Sequence, residues 1–227
     1  DILMSEGLLH QRSEKLVLAA GDVATMLEDI RATLADRDLI EAFRGEKMPV
    51  ALAPGATPIA SIDRSAMRIL GIWATKIHIN GICSSDAGAP KGVWLARRSR
   101  LSRAAPGAYD TLVAGGVPHE ASPRETAIRE AWEEAGLDPL ACQGLTAAGE
   151  ITASYVSDQG FHREHLVIYD LELDPGFEPR CNDGEIETFD RMAFPDLAAA
   201  TRVPGVIKTS SGLVCNDLLA RLGSRRS

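Results

Sequence analysis

The chain predicts a mixed α/β fold, and two observations carry that prediction. Four β-rich stretches, at 73–81, 92–98, 149–155 and 165–173, are bounded by turn-forming residues. Two further stretches, Ser122 to Ala135 and Thr209 to Leu222, carry apolar residues at helical spacing. A sheet with one of these helices on each face would be an α/β/α sandwich.

At 227 residues the chain is long enough for one large domain or a domain with an appendage, and a fold of this size buries roughly 70% of its unfolded surface. A net charge of −8 argues against broad binding to nucleic acid or anionic membranes, although a local basic patch could still meet a phosphate. Cys83, Cys142, Cys181 and Cys215 lie far apart and lack Cys-x-x-Cys spacing, so they suggest neither a zinc site nor a disulfide framework, and each reads as a small buried apolar residue. No apolar run approaches the roughly 20 residues of a membrane span, and the first residues show no basic segment followed by a long apolar one. The expected setting is cytoplasmic.

Residues 1–65 are expected to be an N-terminal helical region. Ser13 to Leu34 and Asp36 to Phe43 carry Leu, Val, Ile and Met at helical spacing, and the run Ala53-Pro54-Gly55-Ala56-Thr57-Pro58 then punctuates the chain. No chemistry is visible there, which suits a packing or substrate-capping appendage. Residues 66–227 form the main domain. The stretches at 73–81 and 92–98 read as a hairpin across a Gly/Pro/Ser/Asp turn region. His78 reads as a residue on a sheet face, since no second His or Cys stands at metal-ligand spacing. Arg97, Arg98, Arg100 and Arg103 form the densest basic cluster in an acidic chain, either a solvated loop or a phosphate site suited to bidentate guanidinium contacts.

The helix at Ser122 has a complete start signal. Ser122, Pro123 and Glu125 stand at the N-cap, first and third positions of a capping box, and Gly136 supplies the stop. At about 100° per residue, Ile128, Ala131, Trp132 and Ala135 gather on one side and Glu130, Glu133 and Glu134 on the other. Those carboxylates lie in the last two turns, where the helix dipole disfavours negative charge and like-charge pairs cost roughly 0.2–0.5 kcal/mol each. A divalent cation would turn that repulsion into coordination, and Mg²⁺ takes hard oxygen ligands beside waters and phosphate.

After this helix, the stretches at 149–155 and 165–173 read as strands joined by a Ser-Asp-Gln-Gly turn. Phe189 to Ala200 reads as a strand end and a short helix, and Thr209 to Leu222 as a closing amphipathic helix.

The run Arg129-Glu130-Ala131-Trp132-Glu133-Glu134-Ala135-Gly136-Leu137, preceded by Gly115-Gly116, resembles the Nudix box. Counting back from Arg129, the box's first Glu falls on Ala121, with Glu120 one residue out of register. The series Arg97-Arg98-Ser99, Pro106-Gly107, Asp110 and Val113-Ala114-Gly115-Gly116-Val117-Pro118 resembles the Nudix subfamily related to the N-terminal part of fungal thiamin pyrophosphokinase, which also has an apolar residue where the ordinary box has its first Glu. The likeness runs over roughly residues 65 to 220 and continues weakly into Tyr169 to Leu173 and Asn182 to Glu187.

This resemblance implies the Nudix-type α/β/α sandwich with a mixed sheet. It also implies a pyrophosphohydrolase in which Glu130, Glu133 and Glu134 hold Mg²⁺, or Mn²⁺ in its place. Gly115 and Gly116 would let the loop turn onto the helix, and Arg129 would organise the site by pairing with Glu125. Arg97 and Arg98 would meet phosphate, and the general base would come from Glu130, Glu185 or Glu187, the last two reading otherwise as solvated loop charges. The expected partner is a small diphosphate, thiamin diphosphate or a damaged analogue, with a nucleotide or ADP-ribose as the alternative. Nucleic acid and membrane are not expected, and a homodimer is one expected state. A prenyl diphosphate isomerase on the same fold would need a catalytic Cys in the site, and the nearest to the box, Cys142, falls beyond the helix. A binding module without turnover is the third reading.

Overall fold

The computed structural model describes residues 2–13, 15–19, 21–41, 45–84, 90–157 and 160–224. Its contacts divide the chain into two compact units. One comprises Asp1–Ala74, Pro118–Glu120 and Ser154–Glu164, and the other Thr75–Val117, Ala121–Ala153 and His165–Ser227.

The first unit opens with a short helix α1 (Ile2–Ser5) and an antiparallel hairpin, β1 (Leu9–Arg12) and β2 (Lys15–Leu18), in which Leu9 faces Leu18. Helix α2 (Val23–Ala35) follows, capped by the Asp22 carboxylate accepting from the Thr25 N–H at 2.9 Å. A second antiparallel pair, β3 (Lys47–Val50) and β4 (Ala60–Asp63), leads to a 3₁₀ turn at Arg64–Ala66 and to α3 (Met67–Leu70). Leu27, Met48, Ile62, Ala66 and Met67 form its core.

The N-terminal region is therefore mixed, with strands as well as helices among the described residues, where apolar spacing alone suggested helix. Within Ser13 to Leu34 the Asp22 cap starts the helix only at Val23, after a strand. Within Asp36 to Phe43 the helix ends at Asp36, and Asp38 adopts a left-handed φ of 55°, incompatible with helix continuation. Residues 42 and 43 lie outside the described residues, as do most of the turn before Gly92 and two residues of the Ser-Asp-Gln-Gly turn.

Most residues of a mixed sheet of seven strands, counted among the described residues, belong to the second unit. The strands are β5 (Trp73–Ser84), β6 (Pro90–Arg98), β7 (Tyr109–Thr111), β8 (Val113–Gly116), β9 (Thr146–Ser157), β10 (Gly160–Leu173) and β11 (Ile186–Ala193). The order is β11-β6-β5-β10-β9, with β7 on β6 and β8 on β5. The expected hairpin is present, with Gly81 facing Trp94 and Ile82 facing Val93 in antiparallel register. The helices are α4 (Pro123–Ala135), α5 (Phe194–Ala200) and α6 (Thr209–Ser224).

Strand alternation assigns the two faces. Val167, Tyr169, Leu171 and Leu173 of β10 share one core with Ala127, Ala131 and Ala135 of α4. Leu166 and Ile168, the alternate residues, pack with Val214 of α6, while Ile82, Val93 and Leu95 pack with Leu197, Cys215 and Leu218. Helices α4 and α6 thus cover opposite faces, the expected α/β/α arrangement. Of the cysteines, Cys142 and Cys215 are buried as expected, whereas Cys83 and Cys181 are only half-buried; all four are free thiols. Among the described residues, no helix is long and apolar enough to cross a membrane.

Candidate functional site

Both ends of α4 are fixed by local chemistry. The Glu125 N–H reaches the Ser122 hydroxyl at 3.2 Å and the Ser122 N–H reaches the Glu125 carboxylate at 2.9 Å, completing the capping box with Pro123 inside it. Gly136 ends the helix in the left-handed region at φ 69°. A neighbouring loop then meets the carbonyls that a helix end leaves open. The Arg180 N–H donates to the Ala135 carbonyl at 3.0 Å, the Asn182 N–H to Glu133 at 2.8 Å, and the Asn182 side-chain amide to Trp132 at 2.7 Å.

The three carboxylates occupy different environments. Arg129 donates to Glu133 at 2.8 Å and to Glu130 at 2.7 Å, so one guanidinium sits between two carboxylates. The expected partner of Arg129, Glu125, is held instead by the capping box. Glu130 is largely buried against β8, whereas Glu133 is open to solvent. Glu134 turns inward, is 4% exposed, and accepts the Ala114 N–H of β8 at 2.8 Å.

Burial raises the pKa of Glu130, with the negative charges of Glu133 and Glu185 adding to the rise and Arg129 opposing it. Burial also drives Glu134 well above the ordinary glutamate range, with Asp110 and Glu130 reinforcing the shift against the Ala114 hydrogen bond and Lys208.

Gly115 and Gly116 act differently from the expectation of a tight turn. Both lie in extended β8, where Gly115 faces Ile77 and Gly116 faces Lys76, and neither has a positive φ. The requirement at Gly115 is close approach, because a Cβ there would fall 2.4 Å from the Glu130 carboxyl carbon.

Among the described residues, no group of three or more His, Cys, Asp or Glu stands together as a finished metal shell. Glu130 and Glu133 nonetheless fit a hard divalent cation by their donor chemistry. They supply carboxylate oxygens, and both already pair with one cationic group, the Arg129 guanidinium. Glu134 reaches β8 backbone instead.

Glu185 lies exposed before β11, its N–H bound to the Asp183 carboxylate at 2.9 Å and its carbonyl accepting from Ser99 N–H at 3.0 Å. The hydrogen bonds of Arg180 and Asn182 hold this acidic loop against the end of the box helix, where the Glu185 charge raises the pKa of Glu130. Glu187 accepts the Arg100 N–H at 2.8 Å. Arg97 donates to the Gly107 carbonyl at 2.8 Å and lies over the Tyr109 ring at 4.5 Å. Arg98 donates to the Ala104 carbonyl at 3.0 Å and to Asp110 at 3.3 Å. Both arginines brace the loop between β6 and β7, while the Arg100 side chain stays exposed.

Sequence reasoning gave Asp110 no role, yet it is the centre of a buried polar cluster. It is 2% exposed, and it accepts from Lys208 at 2.7 Å, Arg98 at 3.3 Å, the Thr111 N–H at 3.0 Å and the Ser211 hydroxyl. Burial pushes its pKa up, but Lys208, His78 and Arg98 outweigh it and hold the carboxyl far below the usual range. His78 is fully buried, with Nδ1 2.9 Å from the Thr111 hydroxyl, which itself donates to the Val113 carbonyl at 2.9 Å. The one hydroxyl proton is thus taken, so His78 carries its proton on Nδ1. The only sequence signal was Asp110's place in the family-like series.

This chain is similar to known proteins. A family model described as NUDIX domain matches residues 79–210, which include β8 and the whole of α4. The chain is 34% identical to Nudix hydrolase 24, chloroplastic, of Arabidopsis thaliana over 84% of this chain and 52% of that protein. It is 32% identical to Nudix hydrolase 20, chloroplastic, of the same plant over 95% of this chain and 55% of that protein. The chain therefore spans about half the length of these relatives. Among solved structures, DR0079 from Deinococcus radiodurans matches with a TM-score of 0.56 at 20% identity, covering 75% of this chain and 98% of that one, a likeness of fold. With the capped box helix, the glycine strand packed against its glutamates and a family match over more than half its length, the chain belongs to the Nudix family.

Proposed function

We propose that this chain hydrolyses a phosphoanhydride bond in a small organic diphosphate with the help of a divalent cation, Mg²⁺ or Mn²⁺. The observation that carries this reading is the convergence of Glu130 and Glu133 on a single cationic position beside buried Glu134. When bound, the cation supplies charge neutralisation at the phosphate oxygens and polarises water. Glu130 and Glu133 would hold it, which requires Arg129 to release them. Arg129 then organises the two carboxylates in the absence of the cation and remains beside them as a positive charge in its presence.

Glu130 is the proton acceptor we favour, since burial and the charges of Glu133 and Glu185 raise its pKa above the ordinary glutamate value in the absence of the cation. Glu187 is held by the Arg100 backbone, and Glu185 is exposed, which suits it to support the charge balance around Glu130. Arg97 and Arg98 serve the site by shaping the loop between β6 and β7, with Arg100 and Arg103 the exposed arginines of the group that could meet phosphate.

Thiamin diphosphate or a damaged analogue is the substrate class we favour, supported by the series of residues from Arg97 to Pro118 and by that alone. The test is release of phosphate or monophosphate product from thiamin diphosphate, its oxidised forms, nucleoside triphosphates, ADP-ribose and dinucleotides, assayed side by side with and without Mg²⁺. Turnover of at least one diphosphate is expected to need the cation and to fall on the order of 100-fold in Glu133→Gln, a loss of about 2.7 kcal/mol of transition-state stabilisation. Equal turnover by that variant, or turnover unaffected by chelation, would overturn the assignment. Cleavage of the nucleotide substrates alone would move the substrate class and leave the chemistry standing.

A further inference from the structure

We propose that Thr111, held by the buried Asp110 cluster, is a positioning residue that aims the box glutamates through β8. This rests on the reading of those glutamates as the cation site.

The path is a continuous series of short polar contacts within the second unit. Lys208, Arg98 and the Ser211 hydroxyl converge on the Asp110 carboxylate, which accepts the Thr111 N–H. The Thr111 side chain, clamped by His78 on one side, donates to the Val113 carbonyl. Val113 is the first residue of β8. The next residue, Ala114, gives its N–H to Glu134, and the one after it, Gly115, presses against Glu130 so closely that no side chain fits between them. Two consecutive residues of one strand thus set the positions of two box carboxylates, and Thr111 sets that strand.

A purely structural role explains the cluster poorly. Buried ion clusters are weak devices for stability, and apolar residues of the same volume would often hold the two elements together at least as well. A buried carboxylate with every oxygen bonded does impose one geometry, and it does so immediately before the strand that touches the glutamates. Val113 is packed in the core, whereas Ala114, Gly115 and Gly116 carry little packing of their own, so their aim depends on hydrogen bonds, those of the ladder to β5 and those at the start of β8.

Thr111→Val tests this in the full chain, because it keeps the side-chain shape and leaves the Asp110 ion pairs intact, and Thr111→Ser is the rescue. Hydrogen exchange at 113–116 is expected to quicken roughly tenfold or more in Thr111→Val. The Mg²⁺ half-saturation concentration should rise and kcat fall by about tenfold, the scale at which residues supporting metal ligands act, while KM for the diphosphate stays within about twofold. Thr111→Ser should restore all of these. A folded Thr111→Val protein with wild-type exchange, or with faster exchange but unchanged Mg²⁺ dependence and kcat, would overturn the proposal.

Direct Mn²⁺ binding, followed by electron paramagnetic resonance without substrate, separates this inference from the proposed reaction. If the wild type cleaves no diphosphate but binds Mn²⁺ about tenfold more tightly than Thr111→Val, the reaction fails and the positioning role stands. Equal Mn²⁺ affinity in the two proteins, or none in the wild type, overturns the positioning role.

Discussion

Two acidic clusters in the second unit are balanced in opposite ways. Around Asp110, a single buried carboxylate faces Lys208, Arg98 and a histidine, and its pKa falls. Around Glu130, the negative charges of Glu133 and Glu185 stand near a buried carboxylate with Arg129 as the cation in contact, and its pKa rises. The first cluster is neutralised by the chain's own cations, so it has the character of a structural joint. The second keeps surplus negative charge beside solvent, the condition under which an added cation lowers the free energy. Charge balance thus separates an acidic group that fastens from one that binds.

Removing the hub carboxylate should have the largest effect on stability. Asp110→Ala leaves Lys208 and Arg98 beside a buried site with no counter-charge, and breaking a buried pair in this way costs about 3–5 kcal/mol. Urea unfolding measures it, and a loss below about 1 kcal/mol would erase the contrast between the clusters.

A smaller effect is expected at Gly115. The added Cβ of Gly115→Ala would meet the Glu130 carboxyl at 2.4 Å, so the glutamate must swing away, at a strain of about 1–3 kcal/mol. Thermal unfolding reports the strain, and cation affinity reports the displaced carboxylate. Wild-type values in both would show that β8 does not constrain Glu130.

The smallest effect is one of pH, and its sign differs between the clusters. Glu134 has a raised pKa in the fold, so its contribution to stability is fully present below the ordinary glutamate value near 4.5 and is lost as pH rises through the interval up to the raised value. Asp110 has a lowered pKa, so its contribution is present above the ordinary aspartate value near 3.8 and is lost as pH falls toward the depressed value. Glu134→Gln stays neutral throughout. Its stability relative to the wild type should therefore increase as pH rises above about 4.5, and parallel stability profiles would show that burial does not raise the pKa of Glu134.

The parts of the molecule that could be read from sequence are those whose causes are local. Ser122, Pro123, Glu125 and Gly136 act within one helix, and the structure places each in the cap it signals. The β-rich runs at 73–81 and 165–173 lie within the longer strands Trp73–Ser84 and Gly160–Leu173. What escaped depends on partners far along the chain. Lys208 and Ser211 reach Asp110 across roughly a hundred residues, and no spacing rule links them. Helical periodicity likewise grouped Glu134 with Glu130 and Glu133, but could not show that β8 passes over Glu134 and buries it. The same wheel put Trp132 on the apolar side, yet the residue is 52% exposed because the core contacts of α4 come from the small residues Ala127, Ala131 and Ala135. In the N-terminal region, apolar spacing lost to the Asp22 cap and the left-handed Asp38.

The loop at 180–182 lends the end of α4 three hydrogen-bond donors, and its next few residues carry Glu185. Anyone transplanting this site into another scaffold would have to move the helix and that loop together as a single cassette. The helix alone would arrive with its glutamates crowded against its own open carbonyls, and the loop alone would arrive with nothing to dock on.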